Sequence, residues 1–264
     1  MPNRSLPALK LQRSPLVLVL TQIRFSPVLK MDRFVGDIQE QLRESGLIRY
    51  SREETQQLVF GPEFKTNAAT RWVFANRGRT EAVVLANDFF VYEVSDYDTF
   101  DVYIERLLDL FRIVCELAQL SFSEQIGMRY VDLLKGDGSL SVDELVCESL
   151  RGLSAQDLGM CEANHQFMIQ GKTPFGTLAI RSFENTNEQF LPPDLQTEHL
   201  AFKNKTSKGE VFRVIDFDHI HRGETDFTDE ALRAKLWSLH DHTDQAFRST
   251  VTEKALEHWQ GTSS

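Results

Sequence analysis

No stretch of the 264-residue chain approaches the ~20 apolar residues that a membrane-spanning helix requires. The longest such run, Leu16–Leu20, has the length of a strand. Cysteine is scarce: Cys115, Cys147 and Cys161 are odd in number, widely spaced and without a CxxC. This removes a disulfide framework and a structural zinc site from consideration. Cys115 falls at an apolar helical position and reads as a small buried hydrophobe. Catalytic signatures are missing as well. There is no GxSxG elbow, no P-loop, no GxGxxG after a strand and no HExxH, so the enzyme classes announced by those motifs are not represented. Met1–Pro15 carries Arg4, Lys10 and Arg13 but no long apolar core and no small-residue cleavage site. It is expected to be a flexible lead-in rather than a signal peptide, and the protein to be cytoplasmic.

What is present is ordinary for a folded chain: 41% hydrophobic and 26% charged residues, with 19 phenylalanines to fill an interior. The net charge of −10 is unevenly spread. Residues 1–123 hold 15 Lys and Arg against 16 Asp and Glu, whereas residues 124–264 hold 14 against 23. Such a field repels a phosphate backbone and argues against general nucleic-acid binding. It suits a basic protein partner, or serves solubility alone.

Periodicity predicts an α+β fold. Leu16–Phe25 is apolar and β-branched, then alternates, as a strand does, and Pro27 ends it. Phe34, Ile38 and Leu42 share one helical face within Met31–Ser45, closed by Gly46. Strands follow at Ile48–Tyr50, Gln57–Phe60, Arg71–Asn76, Glu81–Ala86 and Phe89–Ser95. Turns at Arg77–Arg79 and Asn87–Asp88 imply antiparallel hairpins. A long amphipathic helix spans Thr99–Leu120, with Asp98 placed as its N-cap. The second half reads as a strand (Phe122–Leu134), a short helix (Leu140–Leu150) and a strand pair (Cys161–Gln170, Gly176–Phe183) turning at Lys172–Pro174. A further strand (Glu210–His221), a long helix capped by Thr228 and a last helix at Thr252–Trp259 complete it.

The halves 16–121 and 122–264 can be superposed in order of elements, with Gln22–Phe25 matching Gly127–Tyr130 and the polar segment 184–209 inserted in the second. Each half is then β-α-β(3–4)-α, with long helices on one face of the antiparallel sheet or sheets. That order resembles one repeat of the TATA-binding-protein fold, a likeness that implies no function. The segments QIRF, WVF at Trp72–Phe74, GMRYVDLL, VIDFD at Val214–Asp218 and LHDHTDQAF at Leu239–Phe247, followed by Thr252, occur in that order. In this the chain resembles a sporadically distributed family of uncharacterised prokaryotic proteins of similar length. The resemblance spans nearly the whole chain and brings no catalytic residue. Sporadic occurrence implies an accessory role in a defence or toxin–antitoxin operon.

Five groups of residues are candidate sites. His219 and His221 alternate onto one face of a strand, with Asp216 and Asp218 on the other. They point to a zinc or iron site completed by a residue such as Asp226 or His240, or to a polar strand end. Arg24 and Arg129 hold matching places in two strands. Their guanidinium forks suit an anion, or carboxylates such as Asp132 and Glu93 in a structural role. His240 and Asp244, one turn apart, read as a core histidine or as an oriented general base. Gln189, Phe190, Pro192 and Pro193 lie in the polar insertion and are the natural partner-binding segment. Trp72, Tyr92 and Tyr97 with Arg71, Arg77 and Arg79 form the one basic–aromatic mixture, otherwise explained as packing under the long helix.

The expected function is a non-enzymatic protein-interaction or regulatory module with a protein partner, without cofactor, as monomer or homodimer. The alternatives are a metal-dependent hydrolase centred on His219 and His221 and a small-anion or nucleotide sensor at Arg24 and Arg129.

Overall fold

Nine extended segments hydrogen-bond edge to edge into one antiparallel sheet in the computed structural model, which describes residues 9, 11–59, 65–154, 157–160, 164–186, 188–195 and 197–261. Most of the expected lead-in, with Phe60 and Cys161, lies outside those residues. The strands are β1 (Leu16–Arg24), β2 (Arg49–Val59), β3 (Lys65–Ala75), β4 (Glu81–Leu85), β5 (Phe89–Val94), β6 (Phe122–Lys135), β7 (Gln166–Thr173), β8 (Gly176–Asn185) and β9 (Phe212–Asp226). Across the sheet the order is β2-β3-β4-β5-β1-β6-β9-β8-β7. The near-continuous apolar run of β1 is explained by this order: it sits centrally, paired to β5 and β6, with both faces covered.

Alternation assigns the two faces. Val19, Ile23, Phe90, Tyr92, Met128, Tyr130, Ile215 and Phe217 point to the helices. These are α1 (Val35–Glu44), α2 (Phe100–Ala118), α3 (Val142–Leu145), α4 (Glu148–Arg151), α5 (Asp229–Thr250) and α6 (Glu253–Gln260). The apolar stripe of α2 is buried as its spacing predicts, but the helix is capped by Thr99, whose side chain accepts from the Val102 amide, and not by Asp98. Thr228 caps α5 and Thr252 caps α6 in the same way. The short helix expected at 140–150 is two single turns. Arg213, fully buried on β9, ties them to the sheet through the Leu150 carbonyl (2.7 Å), Asp143 (3.5 Å) and Glu184 (2.7 Å). Gly176 begins β8 where a β-carbon would collide with the carbonyl of Ile220, so this tight hairpin admits only glycine.

The opposite face carries a second core of Val17, Leu18, Leu20, Val73, Val84, Val131 and Val214. Among the described residues no helix lies there. It is covered by the connection 186–211, which brings Phe190, Leu195, Leu200 and Phe202 down onto the sheet. This strap leaves β8 and lands on the first half of the chain. The Ala201 amide donates to the Arg79 carbonyl (2.6 Å), Arg79 Nε to the His199 carbonyl (3.0 Å) and Ser95 Oγ to the Ala201 carbonyl (2.7 Å). The expected partner-binding segment is therefore partly consumed within the molecule. Phe190 packs edge-on against Phe202 at 5.4 Å and Pro192 is buried, while Gln189 and Pro193 remain exposed.

Candidate functional site

The strap face holds an ionic cluster built on Arg129. Its Nε and Nη2 donate to Asp216 (2.7 and 2.9 Å), and its Nη1 and Nη2 donate to Asp194 of the strap (2.7 and 3.0 Å). Arg181 on β8 adds an ion pair to Asp216 at 2.8 Å, angled away from a hydrogen bond, and lies 3.9 Å from Asp218. Burial opposes the charge on Arg129, but the hydrogen bonds and charges of Asp194 and Asp216 outweigh it and raise its pKa. Asp218 is raised by burial, with Asp216 adding to the shift and Arg129 opposing it.

Arg24 does face the same side as Arg129, but the two do not act together. Register places Arg129 opposite Leu20 and Arg24 opposite Gln125, four residues or about 13 Å further along the strand. Arg24 is paired with Asp88 and lies over the Phe89 ring. A polar cavity of about 280 Å³ opens between strap and sheet, with Arg129 and His199 in its wall. Arg129 is bound by two aspartates and His199 by Glu93 (2.7 Å), which corrects the expectation of an anion gripped between two arginines. The partners expected for these arginines are also revised. Glu93 serves His199, and Asp132 lies on the other face of the sheet from Arg129.

The histidines of β9 are held by protein groups of the described residues. His219 is buried against α5, with Nδ1 facing the Leu239 carbonyl (3.2 Å) and Nε2 the Thr173 hydroxyl (2.8 Å). Both ring nitrogens are thereby occupied, and burial lowers its pKa to about 4. His221 Nδ1 faces the Phe175 carbonyl at 3.1 Å. Asp216 and Asp218 are committed to the arginines across the sheet, and among the described residues no three His, Cys, Asp or Glu side chains converge as metal ligands. Trp72 and Tyr92 are buried in the core under the helices, and Tyr97 packs partly buried against that core.

On the helix face a cavity of about 180 Å³ lies between β6, the start of α2 and the middle of α5. His240 belongs here. Its Nδ1 shares a 2.8 Å hydrogen bond with the Tyr130 hydroxyl, and its ring stacks on Phe100 at 3.9 Å. Asp244 pairs with Arg248 (3.0 Å), not with His240, so the sequence-based orientation of a general base is not built. No family model and no curated protein matches the chain. Asp132 is the feature of this cavity that sequence reasoning misplaced. It is 3% exposed, lines the cavity, and no hydrogen bond or ion pair from the described residues reaches its carboxyl. Burial, with the charge of Asp216 added, pushes its pKa up to about 8. Its signal was in the chain: Met128, Tyr130 and Asp132 alternate, so one face takes all three.

The sheet ends at β7, whose residues are exposed on both faces as far as Lys172. Phe167, Met168 and Ile169 stand in a row at 36, 63 and 53% exposure, with Leu153 and Phe175 also exposed nearby in the chain. By register Phe167 and Ile169 project on the helix side, opposite Ser182 and Ile180, and Met168 on the strap side, opposite Arg181. Lys172 is the single charge on the strand.

Proposed function

We propose that the protein is a non-enzymatic interaction module whose docking surface is the edge strand β7, along which a partner protein adds an extended segment. The observation that carries this is the run Phe167-Met168-Ile169 on the strand that ends the sheet among the described residues, with no proline in it and a single charge, Lys172, near its end. Natural sheets protect such edges, because a free row of N–H and C=O groups flanked by apolar side chains recruits another strand. Strand addition uses those backbone groups for affinity and alternate side chains for specificity. The ionic cluster on the strap face supports the same reading from the other side: Arg129 and Asp216 spend their polar atoms on each other and on the strap, as structural groups do.

We also propose that the two halves of the chain are related by duplication, as in TATA-binding-protein-like folds. Outward from the central β1/β6 pair the order is β5, β4, β3, β2 on one side and β9, β8, β7 on the other, so each half places its last strand beside its first, with β2 as an extra edge strand in the first half. In the first half α1 packs against α2 and β3. Among the described residues, the corresponding stretch of the second half holds the two short turns α3 and α4, and β7 is exposed on both faces.

The test is Ile169→Lys in the full chain. The side chain is half exposed, so folding is expected to be unaffected, while retention of a stoichiometric partner after gentle capture from the native cell falls at least tenfold. Light scattering on the same samples separates a second copy of this chain from a different protein. Undiminished partner retention by the variant, or a wild-type chain recovered only as a monomer, contradicts the proposal.

A further inference from the structure

The helix-face cavity is independent of the β7 surface and has a chemistry of its own. Aromatic rings form much of its wall: Tyr97 just before α2, Phe100 at the start of α2, Tyr130 from β6, Phe217 from β9, and Trp237 and Phe247 from α5. Five aspartates line it, and among the described residues in its wall there is no lysine or arginine. Asp98, Asp101 and Asp241 have partners of their own, and Asp244 has Arg248. Asp132 differs from these: it is buried, and its carboxyl meets no donor from the described residues. A carboxyl left in apolar surroundings is costly, and interiors tolerate one where a counter-charge completes it. Ring faces carry negative quadrupole potential and attract a cation in the same volume.

We propose that this cavity binds a small organic cation, an ammonium carried on a short alkyl or aromatic group, with Asp132 as its counter-ion and the surrounding rings as its walls. The volume sets the size. Drug-sized ligands occupy roughly 300–1,000 Å³, so a space of about 180 Å³ takes a single ring or a short chain and excludes a nucleotide. Asp132 sets the sign: a buried carboxyl that meets no donor from the described residues is completed by a cation and not by an anion. A neutral molecule would gain one hydrogen bond from Asp132 and little from the rings, whereas an ammonium forms a charge-assisted bond. His240 is stacked on Phe100 and bonded to Tyr130, which fixes the two rings beside it and preorganises the wall.

The experiment is calorimetric titration of the full chain with benzylamine and benzyltrimethylammonium, against benzyl alcohol and benzoate as neutral and anionic isosteres. Saturable binding of the two cations in the millimolar range or tighter is expected, with benzyl alcohol about tenfold weaker or worse and benzoate not bound. Asp132→Asn keeps the shape, and its fold is checked by thermal unfolding; in that variant the preference for cations over benzyl alcohol is expected to disappear. Equal affinity for benzylamine and benzyl alcohol overturns the proposal. So does a cation preference that survives in Asp132→Asn, or the absence of binding by either cation to folded wild-type protein.

Discussion

Replacing Asp216 by alanine is expected to destabilise the protein by about 3–5 kcal/mol, the range found when one member of a buried ion pair is removed. The Asp216 side chain has no exposed surface, and two arginines converge on it: Arg129 through two hydrogen bonds and Arg181 at 2.8 Å. Its loss leaves the Arg129 guanidinium, itself 8% exposed, with only the aspartate of the strap. Asp194→Ala is the control. That carboxylate is 54% exposed, and surface pairs contribute only about 0–1 kcal/mol. Urea denaturation of the two variants measures the difference. If Asp216→Ala costs no more than Asp194→Ala, the cluster is not the electrostatic centre of the strap face. Substituting hydrophobic residues for the whole cluster is a different experiment and need not destabilise at all.

Asp132→Asn is expected to stabilise the protein, and increasingly so as the pH rises. The folded-state pKa of Asp132 is about 8, against about 3.9 in an unfolded chain. The folded state therefore holds a proton that the unfolded state releases. Asp132 is harmless below about pH 4 and costs stability progressively up to about pH 8, by at most ~1.4 kcal/mol for each pH unit in that window. Asparagine has no such dependence. The titratable groups that share the cavity with Asp132 are Tyr130 on its own strand and Tyr97, Asp98, Asp101, His240, Asp241 and Asp244 across it, with Asp216 behind it in the sheet. All of these remain in the variant, so the difference between the two pH profiles isolates Asp132. Thermal unfolding from about pH 5 to about pH 8 is expected to show the curves diverging. Parallel curves would mean that the carboxyl is solvated or paired.

Local rules made much of this architecture legible. The apolar run of β1, the stripe of α2, the hairpin turns and the threonine cap of α5 are set by neighbours within a few residues, and the structure keeps them. Asp98 lost the N-cap to Thr99 by one position, the usual uncertainty at a helix end. The strap was legible as an insertion but its course was not, because its anchors join residues more than a hundred positions apart, such as Arg79 with His199. Strand alternation correctly separated His219 and His221 from Asp216 and Asp218, yet could not show that Thr173 and Leu239 occupy the ring of His219. Asp132, one of the carboxylates expected to serve the arginines, cannot reach Arg129, because an offset of three on a strand turns two side chains to opposite faces. The exposed edge at β7 depends on strand order, and nothing local in the sequence fixes which strand lies outermost.

The most direct test of the docking surface is hydrogen exchange at β7, measured on the purified chain and on the assembly recovered from its native cell. The outward-facing amides between Gln166 and Lys172 are expected to exchange fast in the isolated chain and to be strongly protected in the assembly, as amides joining a ladder are. Protection confined to the strap or to the helices, with β7 exchanging equally fast in both samples, would contradict strand addition at this edge.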